Sequence, residues 1–178
     1  MTEAPENQAG PALKAQARYK RVIIAFHDLS ECRSYLNRLL GLNGEQAVPR
    51  SDNVLRQALI AAAVASYVRP FSGNRPAPDV EARLPVDFEE RLSQSQLDLH
   101  RRVIRVRNRE FAHSDPDVSE VKASIQAGPL AMPVSNIPRR SLTVEDLRTL
   151  DSVCSELHRY LHDQIMTLQT GFQPGDSF

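Results

Sequence analysis

Residues 143–168 read TVEDLRTLDSVCSELHRYLHDQIMTL, and this stretch decides the fold class. Apolar residues recur along it at near-heptad intervals: Leu147, Leu150, Cys154, Leu157, Leu161 and Leu168. This spacing places them on one stripe of an α-helix. Thr143 and Asp146 resemble a capping box, with Asp in place of the usual Glu, so the helix should begin there. The stretch predicts a long helix that packs in a bundle core or in a helix-mediated dimer.

Two more helices are predicted upstream. Between Leu13 and Leu42, apolar residues recur at helical spacing and predict a first helix that ends near Gly41: Val22, Phe26, Leu29, Leu36, Leu39 and Leu40. Residues 51–53 (Ser-Asp-Asn) can cap a second helix over about 52–69. Its many alanines would let another helix approach closely. Pro70 cannot continue this helix, so an irregular segment should follow to about Pro85.

The middle of the chain predicts one more helical region and a less regular insertion. The helical region runs from Val86 to about Ala112, with a break near residues 93–95. Two short runs, 120–125 and 130–135, are compatible with a small β-hairpin around 127–129. We therefore expect an all-α fold, an up-and-down bundle of four to five helices with a hairpin insertion within 118–140. The expected organisation is a disordered tail over 1–12, one domain over 13–170 and a C-terminal tail over 171–178.

Composition limits the classes of function. The 178 residues carry 22 basic and 22 acidic side chains, so the formal net charge is zero and any contact with RNA must be local. Cys32 and Cys154 form no Cys-x-x-Cys pair, which favours reduced thiols. The start of the chain is polar, and no apolar run approaches the roughly 20 residues that span a bilayer. We expect a soluble, cytoplasmic protein with no membrane partner.

The sharpest local pattern is VRNREFAHSD at residues 106–115, at the end of the third helical region. An arginine (Arg107) is followed by a polar residue (Asn108), and a histidine (His113) comes after five intervening residues, directly behind Ala112. This pattern resembles the signature of the HEPN superfamily of RNA-cleaving and nucleotide-binding helical proteins. The resemblance extends to the end of the second helix, Tyr67-x-Arg69-Pro70-Phe71. The resemblance covers about residues 52–115 and the last helix. Residues 118–140 have no counterpart in it.

RNA chemistry gives these residue types a physical role. Cleavage without a metal needs one group to take the proton of the 2′-hydroxyl and a cation to hold the phosphate. Imidazole exchanges protons near neutral pH, and guanidinium offers a planar fork of donors to phosphate oxygens. The resemblance implies a metal-independent endoribonuclease of a defence or toxin type, with Arg107, Asn108 and His113 at its site. The product would carry a 2′,3′-cyclic phosphate, and neither metal nor cofactor would be required.

The spacing of the motif constrains its geometry. On an ideal helix, six residues separate Arg107 from His113 by about 120° around the axis and about 9 Å along it. Either the helix unwinds before His113, or two copies meet so that both motifs line one cleft. The resemblance implies the second arrangement, a symmetric homodimer. A toxin setting would add an antitoxin protein as a partner.

Several arginines are candidates for RNA contacts. Arg101, Arg102, Arg105 and Arg109 form a basic stripe towards the motif, and Arg69 and Arg75 flank the irregular loop. The alternative is a solvated helix face whose arginines pair with Glu89, Glu90 or Asp98, and a loop that only reverses the chain.

Other interpretations of the motif and of the last helix stay open. Arg107 could pair with a carboxylate while His113 only lies at a helix C-terminus, where the macrodipole favours it. The same motif could bind nucleotide or RNA without cutting, or hold a dimer together. The stripe over 147–168 could be a docking surface for another protein. His158 and His162 are four residues apart, but no convincing further ligands accompany them, so no metal site is predicted.

Overall fold

The computed structural model describes residues 11–72, 83–84, 86–108, 122–125, 133–136 and 142–172. Within them lie four α-helices: α1 (Pro11–Leu40), α2 (Asn53–Val68), α3 (Gln94–Val106) and α4 (Val144–Gln169). Two short 3₁₀-helices flank the irregular middle segment, Arg69–Phe71 directly after α2 and Val86–Arg91 before α3. The described part of the chain is therefore predominantly helical, as the sequence predicted.

The hydrophobic core lies along α1. This helix packs against both α4 and α2, while α3 packs against α4 and α2. The largest fully buried side chains are Tyr67 and Phe88, among many leucines. The predicted stripe of α4 is buried at five positions, Leu147, Leu150, Cys154, Leu157 and Leu161, and Leu168 packs partly against the same core. The stripe is thus a core face, and the interpretation of it as an exposed docking surface for another protein is wrong.

Side-chain caps lie at the N-termini that the sequence predicted for α2 and α4. Asp52 accepts a hydrogen bond from the backbone N–H of Leu55 at 3.1 Å and so caps α2. The backbone N–H of Thr143 donates to Asp146 Oδ2 at 2.9 Å, and the backbone N–H of Asp146 donates to Thr143 Oγ1 at 3.1 Å. Because these two bonds satisfy donors that a helix N-terminus leaves free, the capping box of α4 is confirmed.

One helix boundary differs from the sequence prediction, and one predicted break is present. The helix α1 already includes Pro11, which lies inside the tail predicted over 1–12. Proline suits a first helical turn, where its missing N–H has no partner to lose. The break predicted near residues 93–95 is present: a 3₁₀-helix ends at Arg91, and Ser93 opens α3 with a capping box to Gln96 that was not predicted. Residues 109–112 of the predicted helix lie outside the described part.

The turn after α1 depends on glycine. Gly41 has a φ of 67°, and a Cβ added there would lie 3.0 Å from the Cβ and backbone N of Ala47. The backbone N–H of Leu42 donates to the carbonyl of Asn37 at 3.0 Å and closes the helix end. A left-handed residue without a side chain is the usual way to stop a helix, so the predicted end near Gly41 is confirmed.

Two short strands, Lys122–Ile125 and Pro133–Asn136, pair in antiparallel register. Lys122 lies opposite Asn136, and Ile125 lies opposite Pro133. They overlap the runs predicted over 120–125 and 130–135, whereas the turn predicted at 127–129 falls outside the described residues. Among the described helices, none combines the length and the apolar character needed to cross a membrane.

Candidate functional site

The first half of the predicted motif lies at the C-terminal end of α3. Leu99, His100 and Val103 form the buried face of this helix. Arg107 follows Val103 by four residues, so it takes the next position on the core side, and its side chain is half-buried. The backbone N–H of Arg107 donates to the carbonyls of Val103 and Ile104, so Arg107 continues directly from the last turn of α3. An arginine therefore ends a stripe that is otherwise built to face the core.

The two described motif residues contact each other. Arg107 Nη1 donates a hydrogen bond to Asn108 Oδ1 at 3.1 Å, and Asn108 is exposed. This contact orients the guanidinium, and among the described residues its other N–H groups have no acceptor. His113 and Arg109 lie outside the described residues, as does Arg75, so their roles stay predictions. The structure thus describes the cationic half of the motif.

The arginines of α3 differ in their partners. Arg101 Nη2 lies 2.7 Å from Glu89 Oε2, one of the pairings that the alternative interpretation names, and Arg102 pairs with Asp146. Arg105 is exposed, and within the described part of the chain neither it nor Arg107 forms an ion pair. Among the described residues, the arginines of α3 that form no ion pair therefore lie at the motif end of the helix.

A groove of about 430 Å³ lies between α3 and the start of α4. Its charged lining residues are Asp98, Arg102, Arg105 and Asp146. Partial burial opposes ionisation of Asp146, but hydrogen bonds with Thr143 and Arg102 outweigh it and lower the pKa of this carboxyl. The groove consequently carries both charge signs, which suits a partner with both signs better than a polyanion.

Arg69, predicted to contact RNA, is engaged with α1. Its Nη1 lies 3.2 Å from Asp28 Oδ1 and 2.9 Å from Glu31 Oε2, and Arg21 Nη2 donates to the carbonyl of Arg69 at 2.8 Å. Asp28 is only 9% exposed. Burial raises the pKa of this carboxyl, while the hydrogen bond and charge of Arg69 act against that shift. Arg69 therefore stabilises a carboxylate that is mostly removed from water.

We expect replacement of Arg69 by alanine to reduce stability more than replacement of Arg101. Loss of Arg69 removes the cation that pairs with Asp28 and leaves Arg21 as its other nearby cation among the described residues, so unfolding should become easier by about 1–2 kcal/mol. The more exposed pair of Arg101 with Glu89 should contribute no more than about 0.5 kcal/mol. Urea unfolding of Arg69→Ala and Arg101→Ala against wild type measures both. Equal losses would show that Arg69 contributes no more than an ordinary surface pair.

A polar contact inside the aromatic core joins α2 to α3. The hydroxyl of Tyr67 and Nδ1 of His100 lie 2.7 Å apart. The rings of Phe71 and Phe88 approach the imidazole edge-on, with centroids 4.7 and 5.3 Å away. His100 is 3% exposed, and burial lowers its pKa to about 4, so it is neutral at pH 7. Sequence reasoning gave His100 no role, although it shares the helix face of Val103.

These contacts explain the segment Tyr67-x-Arg69-Pro70-Phe71 at the end of α2. Tyr67 and Phe71 contact His100 on α3, while Arg69 pairs with carboxylates on α1. One short segment thereby fixes α3, and with it the start of the motif, relative to α1. Its residues act by positioning other elements.

The histidines of α4 are not arranged as metal ligands. His158 Nε2 lies 3.2 Å from Ser30 Oγ and 3.4 Å from the carbonyl of Phe26, whose ring stacks against the imidazole. His162 is exposed. Among the residues that the structure describes, no group of three His, Cys, Asp or Glu side chains could hold a metal ion.

Comparison with models of known protein families, with curated proteins and with solved structures finds no match in any of the three.

Proposed function

We propose that this chain is a HEPN-like, metal-independent endoribonuclease that acts through its Arg107-Asn108-x4-His113 motif at a cleft between two copies. The observation that carries the proposal is the placement of Arg107. It ends the core-facing stripe of α3 and is half-buried, yet it pairs with no carboxylate in the described part of the chain. A half-buried guanidinium that pairs with no carboxylate among the described residues supports binding of an anion such as a phosphate.

The proposed reaction is a transesterification within RNA. The 2′-oxygen attacks the neighbouring phosphorus as its proton leaves, the bond to the 5′-oxygen breaks, and a 2′,3′-cyclic phosphate results. Arg107 would stabilise the negative charge that develops on the phosphate oxygens, because its N–H groups are already oriented by Asn108. His113 would exchange a proton with the attacking or the leaving oxygen. No step needs a metal or a cofactor.

The proposed RNA path follows the unpaired cations. Arg105 is exposed and has no carboxylate partner in the described residues, so it is the best-supported backbone contact. Arg75 and Arg109 stay candidates, while Arg69 and Arg101 already have carboxylate partners. A cytoplasmic defence or toxin role, with an antitoxin protein as regulator, belongs to the same proposal.

Complementation between two inactive variants tests the shared cleft. If each site takes Arg107 from one copy and His113 from the other, a mixed dimer of Arg107→Ala and His113→Ala keeps one intact site. Co-expression in equal amounts should give half mixed dimers, and hence about one quarter of the wild-type cleavage rate. Each variant alone should be inactive, and each should match the wild type in thermal unfolding and in dimer mass.

A matched control uses the double variant Arg107→Ala/His113→Ala co-expressed with wild type, which places both defects in one chain. In the mixed dimer of this pair, neither shared site holds both Arg107 and His113, so only the wild-type dimers should cleave RNA. They make up about one quarter of all dimers, so the rate should again be about one quarter of the wild-type rate. No recovery in the first mixture, together with one half of the wild-type rate in the second, would assign each site to a single chain.

A second candidate function is a non-catalytic module that binds RNA or nucleotide or holds a dimer together. The groove between α3 and α4 favours it, because Asp98 and Asp146 offset Arg102 and Arg105 there. Such a surface matches another protein surface of mixed charge, including its own copy. A wild-type protein that dimerises but leaves every RNA intact would support this candidate.

A further inference from the structure

The two cysteines face each other across the main helix pair. Cys32 lies on α1 and Cys154 on α4, both are 0% exposed, and their sulfurs are 3.7 Å apart as free thiols. The thiol of Cys154 donates a weak hydrogen bond to the sulfur of Cys32. The chain contains no other cysteine. Residues 122 positions apart in sequence are thus paired at the centre of the core.

We propose that Cys32 and Cys154 are a redox modification site, at which a small-molecule disulfide oxidant forms a reversible bond between α1 and α4. A disulfide needs a sulfur–sulfur distance of about 2.05 Å, so the two sulfurs must approach by about 1.7 Å. Rotation about the side-chain bonds of these two facing cysteines would bring the sulfurs closer. The proposal concerns the core of the domain and does not depend on ribonuclease activity.

The oxidation proceeds by two thiol–disulfide exchanges. The thiolate of one cysteine attacks a sulfur of the oxidant, forms a mixed disulfide and releases one molecule of the reduced oxidant. The thiolate of the other cysteine then attacks the protein sulfur of that mixed disulfide and releases the second molecule. The two cysteine protons pass to the released thiolates. Two cysteine sulfurs are oxidised by one electron each, and the oxidant takes up both electrons.

Burial makes this reaction slow in the closed core. An oxidant cannot reach either sulfur while both are covered, and burial also raises the pKa of the Cys154 thiol, so the reactive thiolate is scarce. Partial separation of α1 from α4 removes both barriers. The rate of bond formation should therefore follow the opening of this helix pair, and a mild denaturant should increase it.

The experiment treats the full chain with oxidised glutathione at about pH 8, with and without urea at about 1 M, below the unfolding midpoint. We expect loss of both free thiols, an intact mass lower by two hydrogen atoms, and a peptide pair that joins Cys32 to Cys154. Urea should speed the reaction several-fold. After removal of urea and oxidant, the linked protein should unfold about 5–10 °C higher than the reduced protein, because the bond closes a long loop in the unfolded chain. Dithiothreitol should reverse the shift.

Variants Cys32→Ala and Cys154→Ala serve as matched controls. Each keeps one cysteine, so each should end as a glutathione adduct or a free thiol and show no rise in unfolding temperature on oxidation. The temperature is compared between oxidised and reduced forms of the same protein, which cancels the effect of the substitution on packing. A wild type that yields only glutathione adducts or covalent dimers, or a linked form that unfolds at a lower temperature, would overturn the proposal.

Discussion

Replacement of His113 by alanine should lower the rate of RNA cleavage by about 10²–10⁴-fold, the largest effect we expect from any single substitution. A positioned imidazole contributes this much by moving a proton in the transition state, and a methyl group cannot move one. Arg107→Ala should lower the cleavage rate by a similar factor, because it removes the donors that stabilise the charge developing on the phosphate. Cleavage of a fluorescent RNA under single-turnover conditions measures both losses.

The control variant is His162→Ala, which removes an exposed histidine of α4. It should keep the wild-type rate, so a loss confined to His113→Ala excludes a general effect of removing a histidine. Circular dichroism and the unfolding temperature of each variant establish that the fold is retained. A His113→Ala protein that cleaves at the wild-type rate would contradict the proposed site.

Acidification should destabilise the domain through His100. The folded protein keeps this imidazole neutral down to a pKa of about 4, whereas in the unfolded chain it takes up a proton near pH 6.5. The stability that the neutral His100 contributes is therefore fully present above pH 6.5. It falls as the pH drops towards 4, because between these two pH values only the unfolded state binds the proton. The contribution lost between pH 7.5 and pH 5 is about 2 kcal/mol.

The variant His100→Gln tests this prediction. Glutamine does not titrate and retains an acceptor and donors for the Tyr67 hydroxyl, so its pH profile should be flatter than that of the wild type by about 2 kcal/mol. Asp28 and His158 also titrate differently in the folded protein, but both proteins share them, so their effects cancel in the comparison. Urea unfolding at pH 7.5 and pH 5 provides the four free energies. If the wild type and the variant lose the same free energy of unfolding between pH 7.5 and pH 5, His100 is not the group responsible.

The helices could be predicted because their signals are local. The apolar stripe of α4 and the pairing of Thr143 with Asp146 lie within a few residues of each other, and the structure confirms both. The sequence predicted the break near residues 93–95 where α3 begins, but not the capping box of Ser93 with Gln96, although this signal is just as local. Local sequence patterns thus predict the presence of a helix more reliably than its first residue.

The contacts that fix the site depend on pairs far apart in sequence. Tyr67 and His100 are separated by 33 residues, and Asp28 and Arg69 by 41. Periodicity within one helix does not identify its partner on another helix, so Arg69 was assigned to RNA and His100 received no role. Arg107, by contrast, could be placed in the C-terminal part of the third helical region from the sequence, because its position depends only on the helix that carries it.

The most direct test of the central claim is the chemistry of the cleaved ends. Wild-type protein, purified in parallel with His113→Ala, is incubated with total cellular RNA in an excess of EDTA, and the new 3′ ends are analysed. We predict 2′,3′-cyclic phosphates in the wild-type reaction only. Intact RNA in both reactions, or cleavage that requires added metal, would contradict a metal-independent ribonuclease and favour the non-catalytic module.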